Sequence, residues 1–395
     1  MNVYMDNAAT TAVSEAALAA MLPCFQEVYG NPSSLHTVGQ RAAEKLNAAR
    51  EIFARPLGAQ HREITFTSGG SEADNQALRS AAALGRRKGK QHIISTKFEH
   101  HAILHTLQAL EKEGYEVTLL DIPADGVVTA EQVRDAIRPD TCLVSVMFAN
   151  NEIGTIQPIE AIGRVCQEAG VLFHTDAVQA AGHLPIDVAG MHIDMLSLSA
   201  HKFHGPKSVG VLYARRGIPL ETVIHGGAQE WGKRAGTENI PGICGAAAAF
   251  DEACANLAEN AACVTPLRDT LIAGLTAIPH TVLNGDAQHR LPGNVNVCFE
   301  GIEGESLLLM LDAKGIAASS GSACTSGSLD PSHVLLALGR PHEVAHGSLR
   351  LSLSEYNTPE EVDYVLEAVP GIVQYLRDMS PVWDELEQGR RPHLI

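Results

Sequence analysis

Lys202 stands in the run Ser199-Ala200-His201-Lys202-Phe203-His204-Gly205-Pro206-Lys207, directly after an apolar stretch at 195–198. Among apolar and histidine neighbours a lysine is desolvated, which lowers its pKa and keeps the amine nucleophilic, as a Schiff-base lysine requires. Taken alone, a lysine is far more often a solvated surface charge, so this reading needs company. Asp176 supplies some, at the end of Val171-Leu172-Phe173-His174-Thr175-Asp176. A carboxylate closing an apolar strand points into a cleft, where it can hold a pyridine-type nitrogen protonated and make that ring an electron sink. Its bland alternative is a helix cap for 177–181. Thr67-Ser68-Gly69-Gly70-Ser71-Glu72 follows an expected strand and opens an expected helix. Glycines let backbone approach an anion, and free N–H groups at the helix start bind it, with the Ser68 or Ser71 hydroxyl adding a donor. The spacing is neither that of a P-loop nor that of a dinucleotide fingerprint.

A fourth element is the run Ala318-Ser319-Ser320-Gly321-Ser322-Ala323-Cys324-Thr325-Ser326-Gly327-Ser328. Small polar residues leave such a loop nothing to bury, so it is expected to move. A cysteine there is conspicuous, because structural thiols prefer interiors. It suits a nucleophile that travels between a buried site and an outside acceptor. Arg350, in Gly347-Ser348-Leu349-Arg350-Leu351-Ser352, either forks onto a carboxylate or is a surface charge. His101 and His105 stand one helical turn apart without a third ligand nearby in sequence, so no resident metal is expected.

The elements that must position these groups follow from periodicity. Apolar runs at 64–67, 92–95, 117–120, 142–148, 171–175, 195–198 and 209–213 read as strands, and 71–87, 100–113, 129–137 and 159–169 as helices. Thr129 with Gln132 forms a capping box. Such alternation implies a mainly parallel sheet covered on both faces, with ligands collecting at the carboxyl ends of strands. An Ala-rich helical stretch at 241–278 follows, with Pro266 expected to kink or divide it. Helical patterns return at 332–338 and 359–376, and the tail 385–395 is expected to be loosely ordered.

The 395 residues, 45% hydrophobic and 19% charged, are globular in character. A formal net charge of -17 makes nucleic acid and anionic membrane surfaces poor partners. Neither a signal peptide nor a membrane span is evident, and the eight scattered cysteines contain no CxxC pair. The expectation is a cytoplasmic protein with reduced thiols.

Together the segments Asp6-Asn7-Ala8-Ala9-Thr10, Gly30-Asn31-Pro32-Ser33-Ser34, 67–75, Glu99-His100, Asn150-Asn151-Glu152-Ile153-Gly154, Asp176-Ala177-Val178-Gln179, 199–206, Arg234-Ala235-Gly236-Thr237-Glu238-Asn239 and 320–328 resemble the NifS/IscS-type cysteine desulfurases of the class V aminotransferase family. The resemblance covers nearly the whole chain, and the segment 374–383 leans towards the NifS branch that supplies nitrogenase cluster assembly. It implies a fold-type-I, pyridoxal-phosphate-dependent α/β transferase. The large domain, 15–258, would hold a mainly parallel seven-stranded sheet covered by helices; 1–14 and 259–395 would form a smaller α+β domain with the cysteine loop. The implied cofactor is pyridoxal 5'-phosphate, carried by Lys202, stacked on His100 and paired at its ring nitrogen with Asp176. Gln179 and Asn151 would contact the ring hydroxyl region or the substrate. Gly70, Ser71, Ser199 and His201 would hold the phosphate, with Thr237 reaching it from the partner subunit of a homodimer. Arg350 would clamp the carboxylate of L-cysteine, and Cys324 would accept its sulfur as a persulfide, releasing L-alanine. An iron-sulfur scaffold of the NifU/IscU type is the implied acceptor, with Cys324 able to ligate a cluster transiently.

The chain departs from the family pattern in places. Ser71 stands where threonine is usual, Ser208 where glycine is usual, and Trp231 and Lys233 where arginines are frequent. Competing readings are a selenocysteine lyase or aminotransferase of the same fold, and a non-catalytic sulfur-trafficking scaffold. An aminotransferase needs no loop thiol, and a decayed site would not keep Lys202, Asp176, His100 and Cys324 together.

Overall fold

Apolar runs of four or five residues are too short for stable helices, and when buried on both faces they suit a sheet sandwiched between helices. The computed structural model, which describes residues 1–320 and 330–395, bears this out. Seven strands lie in the spatial order Ile64–Thr67, Gly210–Ala214, Met195–Ser199, Leu172–Asp176, Thr141–Ser145, His92–Thr96 and Glu116–Leu120. Gly210–Ala214 runs antiparallel to both neighbours, and the remaining pairs are parallel. Only the edge strand Glu116–Leu120 is substantially exposed.

The strand expected over 142–148 ends at Ser145. Beyond it, the Asn150 side chain accepts from the Glu152 and Ile153 amides at 2.8 and 3.0 Å, so the chain turns into the cleft. The Ala-rich stretch breaks at Asn256, between helices Ile240–Ala255 and Leu257–Thr276, and Pro266 lies within the second helix. The cause is tertiary. Ile243 and Phe250 of the first helix pack on the large core, whereas Val264 and Leu271 of the second pack on another, so the axis turns between them.

That second core joins Val3 and Met5 to residues between 264 and 373. Its antiparallel sheet runs in the order Ser348–Ser352, Asn294–Phe299, Thr281–Leu283. Strand Val3–Tyr4 pairs with Ile316–Ala317, which ties the N-terminal segment to this unit. The tail is also more ordered than expected. Pro381–Glu387 is helical, and Glu300, a buried carboxylate, accepts from His393 Nδ1 at 2.8 Å and the Leu394 amide at 2.6 Å.

At the opposite edge, Arg50 is buried and paired with Glu230, which also accepts from the Phe66 amide at 3.0 Å. Glu230 and Trp231 both hold left-handed backbone (φ 50° and 57°), and the Arg50 guanidinium sits 4.4 Å from the Trp231 ring centre. Consecutive left-handed non-glycine residues persist only where the surroundings hold them, and this ion pair does so for the loop leading to Thr237. Ser208 is left-handed too (φ 62°), which explains why glycine is the usual residue there: serine adopts that conformation at a cost of about 1 kcal/mol.

Candidate active site

The carboxyl ends of the parallel strands open onto a cavity of about 300 Å³, within the range of small-molecule sites. Gly70, Ser71, His100, Asn151, Asp176, Gln179, Ser199, His201, Lys202 and Arg350 all line it. The fold therefore gathers in one place residues separated by up to the distance between Gly70 and Arg350 in the chain. Thr237 is not part of this lining and is exposed. Cys324 lies outside the described residues.

Lys202 ends the short helical turn Ala200–Lys202 after strand Met195–Ser199. Its Nζ donates to the carbonyls of Ala8 and Ala9 at 2.6 and 2.8 Å. Asp176 closes its strand as expected, and its Oδ1 accepts from the Val178 amide at 2.9 Å. Burial raises its carboxyl to about 6, opposed by the Val178 hydrogen bond and the Lys202 charge. A cation at the cavity floor would restore full ionisation.

His100 caps helix His101–Lys112, its Nδ1 accepting from the Ala102 amide at 3.1 Å. That bond requires an unprotonated Nδ1, so the neutral ring carries its proton on Nε2. Burial and then the Lys202 charge depress the pKa to about 4, keeping the imidazole neutral near pH 7.

The turn at Gly69-Gly70 is equally defined. Helix Gly70–Arg87 begins at Gly69, whose φ of 153° is open to glycine. A Cβ on Gly70 would come within 2.7 Å of Val178 Cγ2 and 3.5 Å of Ser199 Cβ. The glycine leaves a hollow at the helix start, flanked by Ser71, Ser199 and His201. Burial and the neighbouring lysines lower His201 to about 4, and its Nδ1 pairs with the Thr10 hydroxyl at 3.1 Å.

Arg350 is buried, which excludes a surface charge. Its terminal nitrogens donate to Asp6 Oδ1 at 2.9 Å and the Asn151 carbonyl at 3.2 Å, while Nε is buried without a partner among the described residues. Its backbone pairs with Ser319 at the start of the cysteine segment. On the far side of that segment, Ser332 donates to Glu152, a buried carboxyl raised to about 7 by burial.

Several groups here escaped the sequence reading. Ala8 and Ala9 line the cavity and hold Lys202, and Ala8 also accepts from Gln179 at 3.0 Å. Asp74 lines the cavity from inside helix Gly70–Arg87, its pKa raised by burial and by Asp176. Beneath it His174 bridges the Ser145 and Ser197 hydroxyls at 2.9 and 3.0 Å, and burial holds this ring neutral at about 3. Only the spacing of Asp74 from Gly70, one helical turn, could have signalled its place. The fold also brings His333 to 4.6 Å from His101, ring centre to ring centre.

Glu99 sits behind His100 with one oxygen accepting from Thr96 and Met147 and the other without a partner among the described residues. Burial pushes it up to about 8 from the ordinary 4.5. The folded protein therefore binds more protons than the unfolded one between those values, and this group's contribution to stability falls as pH rises through that window. Glu99→Gln is expected to raise the melting temperature relative to the parent by about 5 °C more at pH 8 than at pH 5. Melting curves at the two pH values check this, and an equal offset at both would refute it.

Comparisons with known proteins agree with this geometry. The class-V aminotransferase family pattern matches residues 3–365. Cysteine desulfurase IscS of Methanosarcina thermophila is 57% identical over 380 residues, covering 96% of this chain and 94% of that protein. Cysteine desulfurase NifS of Azotobacter vinelandii is 48% identical over 384 residues, covering 97% and 95%. Among solved structures, a NifS-like protein aligns with a TM-score of 0.89 at 40% identity over 95% of this chain and all (100%) of that one. SspA in complex with cysteine aligns at 0.79 and 38% identity over 90% and 100%. With family pattern, full-length relatives and fold in agreement, the chain belongs to the class-V aminotransferase family, among its IscS/NifS-type cysteine desulfurases.

Proposed function

We propose that this chain is a pyridoxal-phosphate-dependent cysteine desulfurase that converts L-cysteine to L-alanine and keeps the sulfur on Cys324 as a persulfide, for delivery to iron-sulfur cluster assembly. The observation that carries the reading is the single cavity in which Lys202, Asp176, His100 and the buried Arg350 meet.

The cavity fits the cofactor. The hollow at Gly70 and the helix start suit a phosphate held by Ser71, Ser199 and His201. Asp176, a buried carboxyl raised to about 6 by burial, suits a protonated ring nitrogen. When bound, pyridoxal phosphate supplies an electron sink for charge that develops at the substrate Cα.

The chain's own residues do the rest. Arg350, which lines the cavity and is already oriented by Asp6 and Asn151, fixes the substrate carboxylate through its guanidinium. The Lys202 amine takes the Cα proton and can return it elsewhere, because its carbonyl partners accept hydrogen bonds without competing as bases. Neutral His100, which lines the same cavity, carries its proton on Nε2 and can move it. The Cys324 thiolate attacks the substrate sulfur and the carbon–sulfur bond breaks. Carbon gains the electron pair and a proton, and sulfur is oxidised to the persulfide level, so no outside oxidant is needed. Cysteine and a thiol become alanine and a persulfide.

The proposal extends to assembly and organisation. Leu18, Leu22, Phe25, Tyr29 and Leu35 are large apolar residues left exposed on one N-terminal stretch, which supports a homodimer in which Thr237 serves the partner's site. The helix break at Asn256 supports a division into 15–258 and a small domain of 1–14 with 259–395. A cytoplasmic location, a NifU/IscU-type acceptor and service to nitrogenase belong to the same reading. No described helix is long and apolar enough to cross a membrane.

The test is to incubate the holoenzyme with L-cysteine and no reductant, then measure alanine and the mass of the Cys324 peptide. One alanine per sulfur gained on that peptide is expected in the first turnover. Alanine without added sulfur, or amine transfer that depends on a keto acid, would reject the reading.

A further inference from the structure

The tail returns to the small core through side chains that the reaction does not use. Glu300, just past strand Asn294–Phe299, is only 3% exposed. Its Oε2 lies 2.8 Å from His393 Nδ1 and 3.6 Å from His280 Nδ1. His280 Nδ1 in turn lies 3.0 Å from the Ile395 carbonyl oxygen. One donor atom from each of His280, Glu300 and His393 falls within 4.8 Å of the others.

The surroundings hold these groups in place. Arg377 donates to the Glu300 carbonyl at 3.0 Å and the His280 carbonyl at 3.1 Å, which fixes the backbone of two of the three. Its guanidinium lies 4.0 Å from the Trp383 ring centre, and Trp383 makes T-shaped contacts with both imidazoles. His280 adopts a left-handed backbone (φ 53°), a conformation that a non-glycine residue keeps only under outside constraint. The Leu394 amide occupies the other oxygen of Glu300 and leaves Oε2 to face the histidines.

We propose that His280, Glu300 and His393, with the Ile395 carbonyl oxygen, form a binding site for a divalent transition-metal ion of the zinc class. Two imidazole nitrogens and two oxygens are a donor set for zinc, nickel or cobalt, and a poor one for magnesium or calcium, which take oxygen ligands. The ion takes the Nδ1 positions that now bond Glu300 and the Ile395 oxygen, and each ring then carries its proton on Nε2. The two rings stack with centres 3.7 Å apart and planes 17° apart. Their lone pairs converge on one ion when a ring turns out of the stack, and His393, on the tail and exposed, is the ring that must turn. The ion would then cross-link residues 280, 300 and 393 and secure the tail to the small sheet. This inference does not depend on the proposed reaction.

The experiment uses the holoenzyme with Cys324→Ala as parent, which removes one competing thiol. After equilibrium dialysis against zinc chloride, bound zinc is counted in the parent, in parent plus His393→Ala and in parent plus Glu300→Gln. His393→Ala changes a tail residue, so the fold is expected to survive even if Glu300→Gln destabilises it. The parent is expected to bind one zinc per chain that His393→Ala lacks or binds at least tenfold more weakly. Zinc is also expected to raise the parent's melting temperature but not that of His393→Ala. With cobalt, the parent should show visible bands of a nitrogen–oxygen site without a sulfur charge-transfer band. Equal zinc in parent and His393→Ala, or no site in the parent, overturns the proposal and leaves a hydrogen-bonded latch only.

Discussion

Lys202→Ala is expected to lower alanine formation from cysteine by at least about 10³-fold, the scale of losing a positioned acid–base group. The amine would have two duties, holding the cofactor and moving the Cα proton, and alanine performs neither. The loss should not come from unfolding. Lys202 ends a short helical turn, and the carbonyls of Ala8 and Ala9 that accept from it line an open cavity and can accept from water instead. The variant should therefore keep its far-ultraviolet signature and melt close to the parent. Borohydride reduction followed by peptide mass spectrometry should modify Lys202 in the parent and no lysine in the variant. Turnover near the parental rate would eliminate the assignment.

Cys324→Ala should behave differently. The residues proposed to hold the cofactor come from segments other than the one that carries Cys324, so the yellow colour and the spectral change on adding cysteine are expected to remain. Sulfur transfer, which needs the thiolate, should fall by on the order of 10²–10⁴, with no persulfide on the peptide. Persulfide formation on another cysteine at an undiminished rate would count against the role. Among the described cysteines, burial pushes Cys142 up to about 11 and Cys244 and Cys254 up to about 12, which makes them poor thiolates. Cys263 is the exposed exception, and its peptide is the control.

Much of the site was legible because the sheet makes position along a strand meaningful. Asp176, Ser199 and the Gly69-Gly70 turn each sit where an apolar run ends, and a parallel sheet sends such ends to one edge. What stayed hidden depends on pairings distant in sequence. Nothing about Ala8 announces that its carbonyl meets Lys202 and Gln179. Asp74 looks like an ordinary acidic residue in an early helical turn until the sheet buries it beside Asp176. The same reasoning accounts for the errors of order. Propensity placed the helix break at Pro266, but the change of packing partner placed it at Asn256. A polar tail looked loose because its anchor, Glu300, lies far back along the chain. His280, Glu300 and His393 form no sequence motif for the same reason.

Residues 6–10 serve both halves of the molecule at once: Asp6 braces Arg350, Asn7 and Ala8 bond to Ser352, and Ala8 and Ala9 receive the Lys202 amine. Just upstream, Val3–Tyr4 is stitched to Ile316–Ala317. For protein engineering this makes residues 3–10 the wrong handle. An affinity tag or fluorescent fusion there would pull on the ribbon that sets the geometry of the chemistry, so a purification label belongs at a solvent-facing loop such as the turn at Gly89.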